Sequence, residues 1–197
     1  LVVRTEQLLR QEALAFQGFR PGNPTLLQDT IARYGFFTPR PQAEGDSSLK
    51  QVILYLVLRY RRLLFLYQRL NATTENRLMH KYSIGLGGHI NPVDRCPISQ
   101  RLLGINLLRE LTEEVRLAGR FSYRVIGAVN DDQSEVGRYH IGIVFLISSA
   151  SPEVAIRETE KLSGSMAPID RVLACRPSLE TWSGIILDGV CKMILQG

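Results

Sequence analysis

The chain has 197 residues, 45% of them hydrophobic and 22% charged, with 24 Lys and Arg against 19 Asp and Glu. That length fits one domain with an extension, and the composition excludes a disordered tail, a collagen and a coiled-coil rod. The net charge of +5 is compatible with an anionic partner but too small to diagnose nucleic-acid binding.

Cys96, Cys175 and Cys191 are an odd number at no metal spacing, which points to a reducing, cytoplasmic setting. The longest apolar runs, Val52–Leu58 and Ile141–Ile147, fall far short of the roughly 20 residues a membrane helix needs, so no membrane partner is expected. No signal peptide is read, and an opening on Leu1 rather than Met leaves the native start open.

Residues 1–49 begin with the apolar Leu1–Val3 and carry a helical candidate at Glu6–Phe16 and a weaker one at Thr25–Tyr34. Thr38–Ser48 is rich in Pro, Gly and Ser and reads as a loop. This part is expected to pack as an N-terminal extension on a core domain spanning 50–197. Gln51–Tyr60 is a nearly continuous apolar, β-rich run, as in a strand buried on both faces. Arg62–Arg69 looks like its hairpin partner, although Tyr60–Arg61–Arg62 lacks Asn-Gly turn chemistry. Asn71–Arg77 reads as a polar turn, and His80–Leu86 as a short strand leading into Gly87–Gly88.

Gln100–Leu117 has helical periodicity, with Ser99 as N-cap and Gly104, Leu107, Leu108, Leu111 and Val115 on one stripe. Phe121–Val129 and Tyr139–Ile147 are two further strands around the polar loop Asn130–Arg138, with a shorter one at Val154–Arg157. The C-terminal helix gathers Trp182, Ile185, Ile186, Val190, Met193 and Ile194 on one face. Strands and helices in this order predict an α+β chain, a three-layer α/β/α sandwich around a mixed sheet.

The chemistry concentrates in Gly85–Leu117. At about 100° per residue, Glu110, Glu113 and Glu114 lie within one arc of the helix, roughly 100° from the apolar stripe. Like charges at that spacing repel by a few tenths of a kcal/mol per pair, on the order of 0.3. A divalent cation removes the penalty, and Mg²⁺ suits a partial shell of carboxylates facing a phosphorylated substrate. Upstream, Gly87–Gly88 is expected to end its strand in a sharp turn where glycine allows close approach.

Together these residues resemble the Nudix box, G-x5-E-x7-R-E-U-x-E-E-x-G-U with U a bulky aliphatic. Gly88 takes the first glycine, Arg109 and Glu110 the R-E pair, Leu111 the aliphatic, Glu113 and Glu114 the E-E pair, and Leu117 the last aliphatic. Three positions depart. Asp94 stands where the first glutamate belongs. Asp94 and Arg109 are separated by 14 residues rather than seven, so the loop carries seven extra. Arg116 replaces the late glycine, and Gly119 is expected to end the helix instead. The runs Ala43-Glu44 through Lys50-Gln51, Tyr67-Gln68-Arg69, Glu75-x-Arg77-Leu78 and Ser83-Ile84-Gly85-x-Gly87-Gly88-His89-Ile90-Asn91 also look like a bacterial Nudix subgroup of phosphoesterases or phosphohydrolases.

The resemblance implies a pyrophosphohydrolase that uses Mg²⁺, with Mn²⁺ as a substitute, on a nucleoside diphosphate linked to another moiety X or a related metabolite. Glu110, Glu113 and Glu114 would hold the metal, with the Gly88 carbonyl. Arg109 would orient a glutamate through a charge-assisted bond. Arg69, His89 and Asp94 are the substrate-side candidates. His89 reads rather as a structural imidazole than as a phosphate contact, and Arg59, Arg61, Arg62 and Arg69 rather as guards of a strand edge than as an anion-binding face. Glu158 or Glu160 would supply a general base, or form a solvated cluster with Arg157 and Lys161. The alternative function is a non-catalytic Nudix module that senses a nucleotide or a protein. Nucleic acid is not expected as a partner, and homodimerisation is open.

Overall fold

The computed structural model describes residues 1–70, 80–135, 137–157, 159–160 and 162–196. The expected turn Asn71–Arg77 therefore lies outside the described residues. In chain order the main elements are β1 (Val2–Arg4), α1 (Thr5–Leu9), β2 (Gly18–Pro21), α2 (Thr25–Tyr34), α3 (Arg40–Ala43), β3 (Leu49–Tyr60), β4 (Leu63–Arg69), β5 (Tyr82–Ser83) and β6 (Gly85–His89). There follow α4 (Gln100–Glu114), β7 (Val115–Leu117), β8 (Phe121–Asn130), β9 (His140–Ser149), β10 (Val154–Ile156), β11 (Leu162–Pro168), α5 (Ile169–Ala174) and α6 (Thr181–Gln196). Among the described residues the principal sheet has nine strands, with the path β11-β4-β3-β9-β8-β2 and with β1, β5 and β6 paired off it. The α+β class read from the sequence is the class observed.

The chain divides into two compact units. The first comprises Leu1–Tyr55, Gly87–Arg109 and Val125–Val144. Within it β1 pairs antiparallel with β3 (Val2 opposite Gln51), and β2 with β8 (Gly18 opposite Asn130). Residues 1–49 thus add two strands to the sheet. Helix α2 turns Leu27 and Ile31, one turn apart, into the interior. A buried lysine ties this unit together. The Lys50 side chain is 4% exposed and donates to Asn130 Oδ1 at 2.8 Å, to the Asp132 carboxylate, and to the carbonyls of Gly137 and His140 at 3.2 Å each. Burial pulls its pKa below the usual lysine range, against the hydrogen bond and charge of Asp132.

The second unit comprises Leu56–Leu86, Glu110–Arg124 and Phe145–Gly197. Here Arg59 faces Leu64 and Tyr60 faces Leu63, which leaves Arg61–Arg62 as a two-residue hairpin loop. Arg61 sits at φ 52 and supplies the left-handed backbone that Asn-Gly would ordinarily provide. β4 pairs on its other side with β11, Leu162 opposite Arg69 through Pro168 opposite Leu63. Glu180 caps α6, its carboxylate accepting from Trp182 N–H at 3.2 Å and Ser183 N–H at 2.9 Å.

Several expectations are corrected. The Glu6–Phe16 helix is only α1 followed by a 3₁₀ turn at Glu12–Leu14, because two short pieces suffice to bury Leu8 and Leu14. The expected loop Thr38–Ser48 contains the short helix α3. The strand expected over His80–Leu86 is broken: His80 lies in a turn at φ 61, and β6 runs on through His89. Gly87 and Gly88 therefore lie inside a strand, and neither is among the positive-φ glycines Gly18, Gly22 and Gly119. The turn comes later, where Cys96 N–H donates to the Val93 carbonyl at 3.0 Å and Arg95 takes φ 56. Strand β11, with its Ser-Gly-Ser stretch, carried no strand signal in the sequence, and pairing to β4 overrides that weakness.

Candidate active site

Helix α4 begins as the sequence predicts. Ser99 Oγ accepts from Leu102 N–H at 3.4 Å, which satisfies one of the free amides of the first turn. It ends at Glu114, not Leu117. Val115-Arg116-Leu117 instead forms β7, buried at Val115 and exposed at Arg116, and pairs with β10 (Val115 opposite Ile156, Leu117 opposite Val154). That pairing gives the backbone partners a further helical turn would not have. Gly119, at φ +87, turns the chain between β7 and β8 and does not end the helix.

The buried side of α4 keeps Leu107 and Leu111 of the predicted stripe but departs from it at Leu108. Leu108 is 41% exposed, whereas Leu102, Leu103, Asn106, Leu107 and Leu111 are buried. The buried line therefore runs Leu103, Leu107, then Glu110 and Glu114, at spacings of four, three and four. Glu110 and Glu114 are half-buried and Glu113 is exposed. Two carboxylates thus continue the inward-facing line of the helix, rather than standing on a separate solvent face.

Their position along the helix is electrostatically adverse. The last turn of a helix carries the negative end of its dipole, and each carboxylate there loses about 0.3–1 kcal/mol. The last turn itself contains no basic side chain. A cation is the natural complement. The donor set fits a hard divalent ion in kind, since it offers carboxylate oxygens only. Among the described residues, no group of three His, Cys, Asp or Glu side chains is gathered so as to hold a metal in the positions observed.

Arg109 and His89 are brought together. The Arg109 guanidinium donates to the His89 carbonyl at 2.7 Å and to Asn106 Oδ1 at 3.4 Å from Nε and 3.3 Å from Nη2. Asn106 was not singled out in the sequence. It is 1% exposed, accepts from Asn91 N–H at 2.9 Å and donates to the Asn91 carbonyl at 3.0 Å. An Asn in a helix is an ordinary sight, and only its burial reveals the role.

The His89 imidazole is half-buried, with its ring 5.9 Å from that of His140 and its Nε2 buried without a hydrogen-bond partner. Burial, and then the charge of Arg40, push its pKa down to about 4. It is a neutral imidazole at pH 7. Gly88 is buried within β6. Asp94 is exposed in the turn before the extra loop residues.

In the second unit, Arg69 is half-buried, its guanidinium 5.9 Å from the centre of the Tyr67 ring. Arg59 Nε donates to Ser148 Oγ at 2.9 Å, so it is anchored along the sheet. Tyr67 was quoted only as part of the resemblance, yet it is fully buried and donates to the Gly85 carbonyl at 3.0 Å. Burial pushes its pKa up to about 12, and the Glu114 charge adds a small part of that rise. Glu160 is exposed, and Glu158 lies outside the described residues.

Comparison with known proteins gives a consistent answer. The chain is 31% identical to Protein YmaB of Bacillus subtilis (strain 168) over 196 residues, covering 95% of each. Its fold matches the crystal structure of Tm1382, a protein assigned to the Nudix hydrolases, with a TM-score of 0.83 and 28% identity, covering 98% of this chain and 97% of that one. The NUDIX domain of Shewanella oneidensis NrtR, crystallised with ADP ribose, shares the fold more distantly, with a TM-score of 0.52 and 14% identity over 75% of this chain and 87% of that one. No family model matches the chain. Among the described residues, no helix is long and apolar enough to cross a membrane.

Proposed function

The chain belongs to the Nudix superfamily, and from that premise we propose that it is a divalent-metal-dependent pyrophosphohydrolase acting on a small phosphorylated substrate. The observation that carries this is the last turn of α4. It places Glu110 and Glu114 on the inward line and Glu113 beside them, at the helix end where negative charge is least favourable. The substrate class is a nucleoside diphosphate linked to another moiety, or a related metabolite.

Glu110, Glu113 and Glu114 would hold Mg²⁺ or Mn²⁺. The bound ion supplies neutralisation of charge on the phosphoryl oxygens and activation of water. Arg109 binds the His89 carbonyl and Asn106, which steadies the helix one residue before Glu110. His89, neutral and next to Gly88, would bring no positive charge to the substrate. Arg69, at the end of β4, would contact a phosphate of the substrate. Asp94, exposed in its turn, is a weaker substrate contact, and Glu160 remains the described candidate for general base.

A turnover screen with Mg²⁺ and Mn²⁺ tests this reading. The panel is nucleoside di- and triphosphates, dinucleoside polyphosphates, nucleotide sugars, NADH and coenzyme A, with products identified by mass. A Glu114→Gln control should stay folded and lose metal-dependent turnover. Full activity in that variant would refute the role assigned to Glu114. A second reading, a non-catalytic nucleotide sensor, is favoured by Arg116 in place of glycine and by the seven extra loop residues. Tight nucleotide binding without turnover under either metal would support it.

A further inference from the structure

Asn106 lies one helical turn before Glu110 on α4 and is 1% exposed. Its side-chain amide is fully used. Oδ1 accepts from Asn91 N–H at 2.9 Å and from Arg109 Nη2 at 3.3 Å, while Nδ2 donates to the carbonyls of Asn91 at 3.0 Å and Leu102 at 3.1 Å. Donor and acceptor to the backbone of one residue is the bonding a neighbouring strand would offer. With the bond from Arg109 to the His89 carbonyl at 2.7 Å, two residues of one helix grip the chain just beyond Gly88.

A helix turns as a rigid body. Pinning positions 106 and 109 sets its rotation about its axis and its position along that axis. The next turn carries the glutamates. Their carboxylates stand several ångströms from the axis, so a rotation of roughly 20° displaces them by about 2 Å, given a Cα radius near 2.3 Å plus the side chain. A misplacement of about 1 Å at a reacting centre can lower rates on the order of a hundredfold.

We propose that Asn106 is a positioning residue for the glutamate turn, setting the direction in which Glu110 and Glu114 project by holding α4 to the backbone of Asn91. It rests on the reading that this turn holds a divalent metal. A buried Asn with a purely structural part would affect stability alone, so the test separates the two.

Asn106→Leu removes both halves of the grip, and Asn106→Asp keeps the acceptor but loses the donor. Mn²⁺ affinity is measured by electron paramagnetic resonance, kcat and KM separately on the best substrate of the screen, and exchange of the Asn91 amide by NMR. In Asn106→Leu we expect fast Asn91 exchange, Mn²⁺ affinity weakened by roughly 10- to 100-fold, and kcat lowered with KM near the wild-type value. Asn106→Asp should fall between the two. If Asn106→Leu does not fold, Asn106→Asp decides by the same readouts. Lowered stability with unchanged Mn²⁺ affinity and kcat would overturn the proposal alone. A wild-type protein that neither binds Mn²⁺ nor turns over any substrate would overturn the metal reading first, and this proposal with it.

Discussion

The guanidinium of Arg109 reaches the carbonyl of His89 at 2.7 Å, joining helix and strand across 20 positions of sequence. A planar fork can serve that carbonyl and Asn106 Oδ1 together, and an ammonium cannot match the geometry. Arg109→Lys should therefore lower turnover by roughly 10- to 100-fold. Arg109→Ala should also lose about 1–3 kcal/mol of stability in urea denaturation, because the His89 carbonyl loses its partner. Steady-state kinetics near wild type in both variants would detach Arg109 from the site.

Three glutamates at one helix end make stability depend on metal. Millimolar Mn²⁺ should raise the unfolding temperature of the wild type above its value in EDTA, and should raise that of Glu113→Gln by less, because the variant loses part of the binding energy. Thermal unfolding under both conditions checks this, and equal gains in both proteins would argue against a cation at this turn.

Lys50 sits 4% exposed among four oxygen acceptors. Lys50→Met should destabilise the protein by about 3 kcal/mol, as two carbonyls and Asn130 lose a shared donor. A loss below about 1 kcal/mol in urea denaturation would mean that water replaces the ammonium there.

His89 gives a pH dependence of known sign. Its pKa is about 4 when folded, against an ordinary 6.5. Below pH 6.5 the unfolded chain takes up a proton that the folded protein refuses, so stability falls as pH drops from about 6.5 to about 4. The decline from this residue should reach about 3 kcal/mol at most. Denaturant titrations of wild type and His89→Gln at several pH values isolate it. Parallel curves would place His89 in a more hydrated setting.

Gly164 in β11 leaves no room for a side chain. A Cβ there would stand 2.4 Å from Tyr67 Cβ and 2.5 Å from the Leu66 carbonyl. Gly164→Ala should force β11 away from β4 and destabilise the fold by about 1–3 kcal/mol. Thermal unfolding at wild-type temperature would show that the strands part without loss.

Much of this arrangement could be read before folding was considered. The α2 helix, the long strand β3, the hairpin and the E-x-x-E-E turn follow from local pattern. What could not be read depends on pairing with distant residues. β11 has no strand propensity of its own, and β7 would have continued α4 but for Val154–Ile156. The apolar stripe of α4 holds at Leu107 and Leu111 and fails at Leu108, where an asparagine two residues earlier is buried instead. A leucine left 41% exposed and an asparagine left 1% exposed defeat a hydrophobic pattern, and the asparagine is tolerated because Asn91, Leu102 and Arg109 satisfy its amide.

The junction of α4 with β7 has no connecting loop. Glu114 closes the helix, Val115 opens the strand, and the Glu114 carbonyl is taken by Arg157 N–H at 3.0 Å. Helix ends ordinarily fray, and a fraying end would blur whatever it carries. This end is clamped into a ladder at the residue where it stops. The backbone under the carboxylates is therefore held like the rim of a stopped gear, and under the proposed role only their side chains would lose freedom when an ion binds. Amide exchange at Glu114 and Val115 should be as slow without metal as with it.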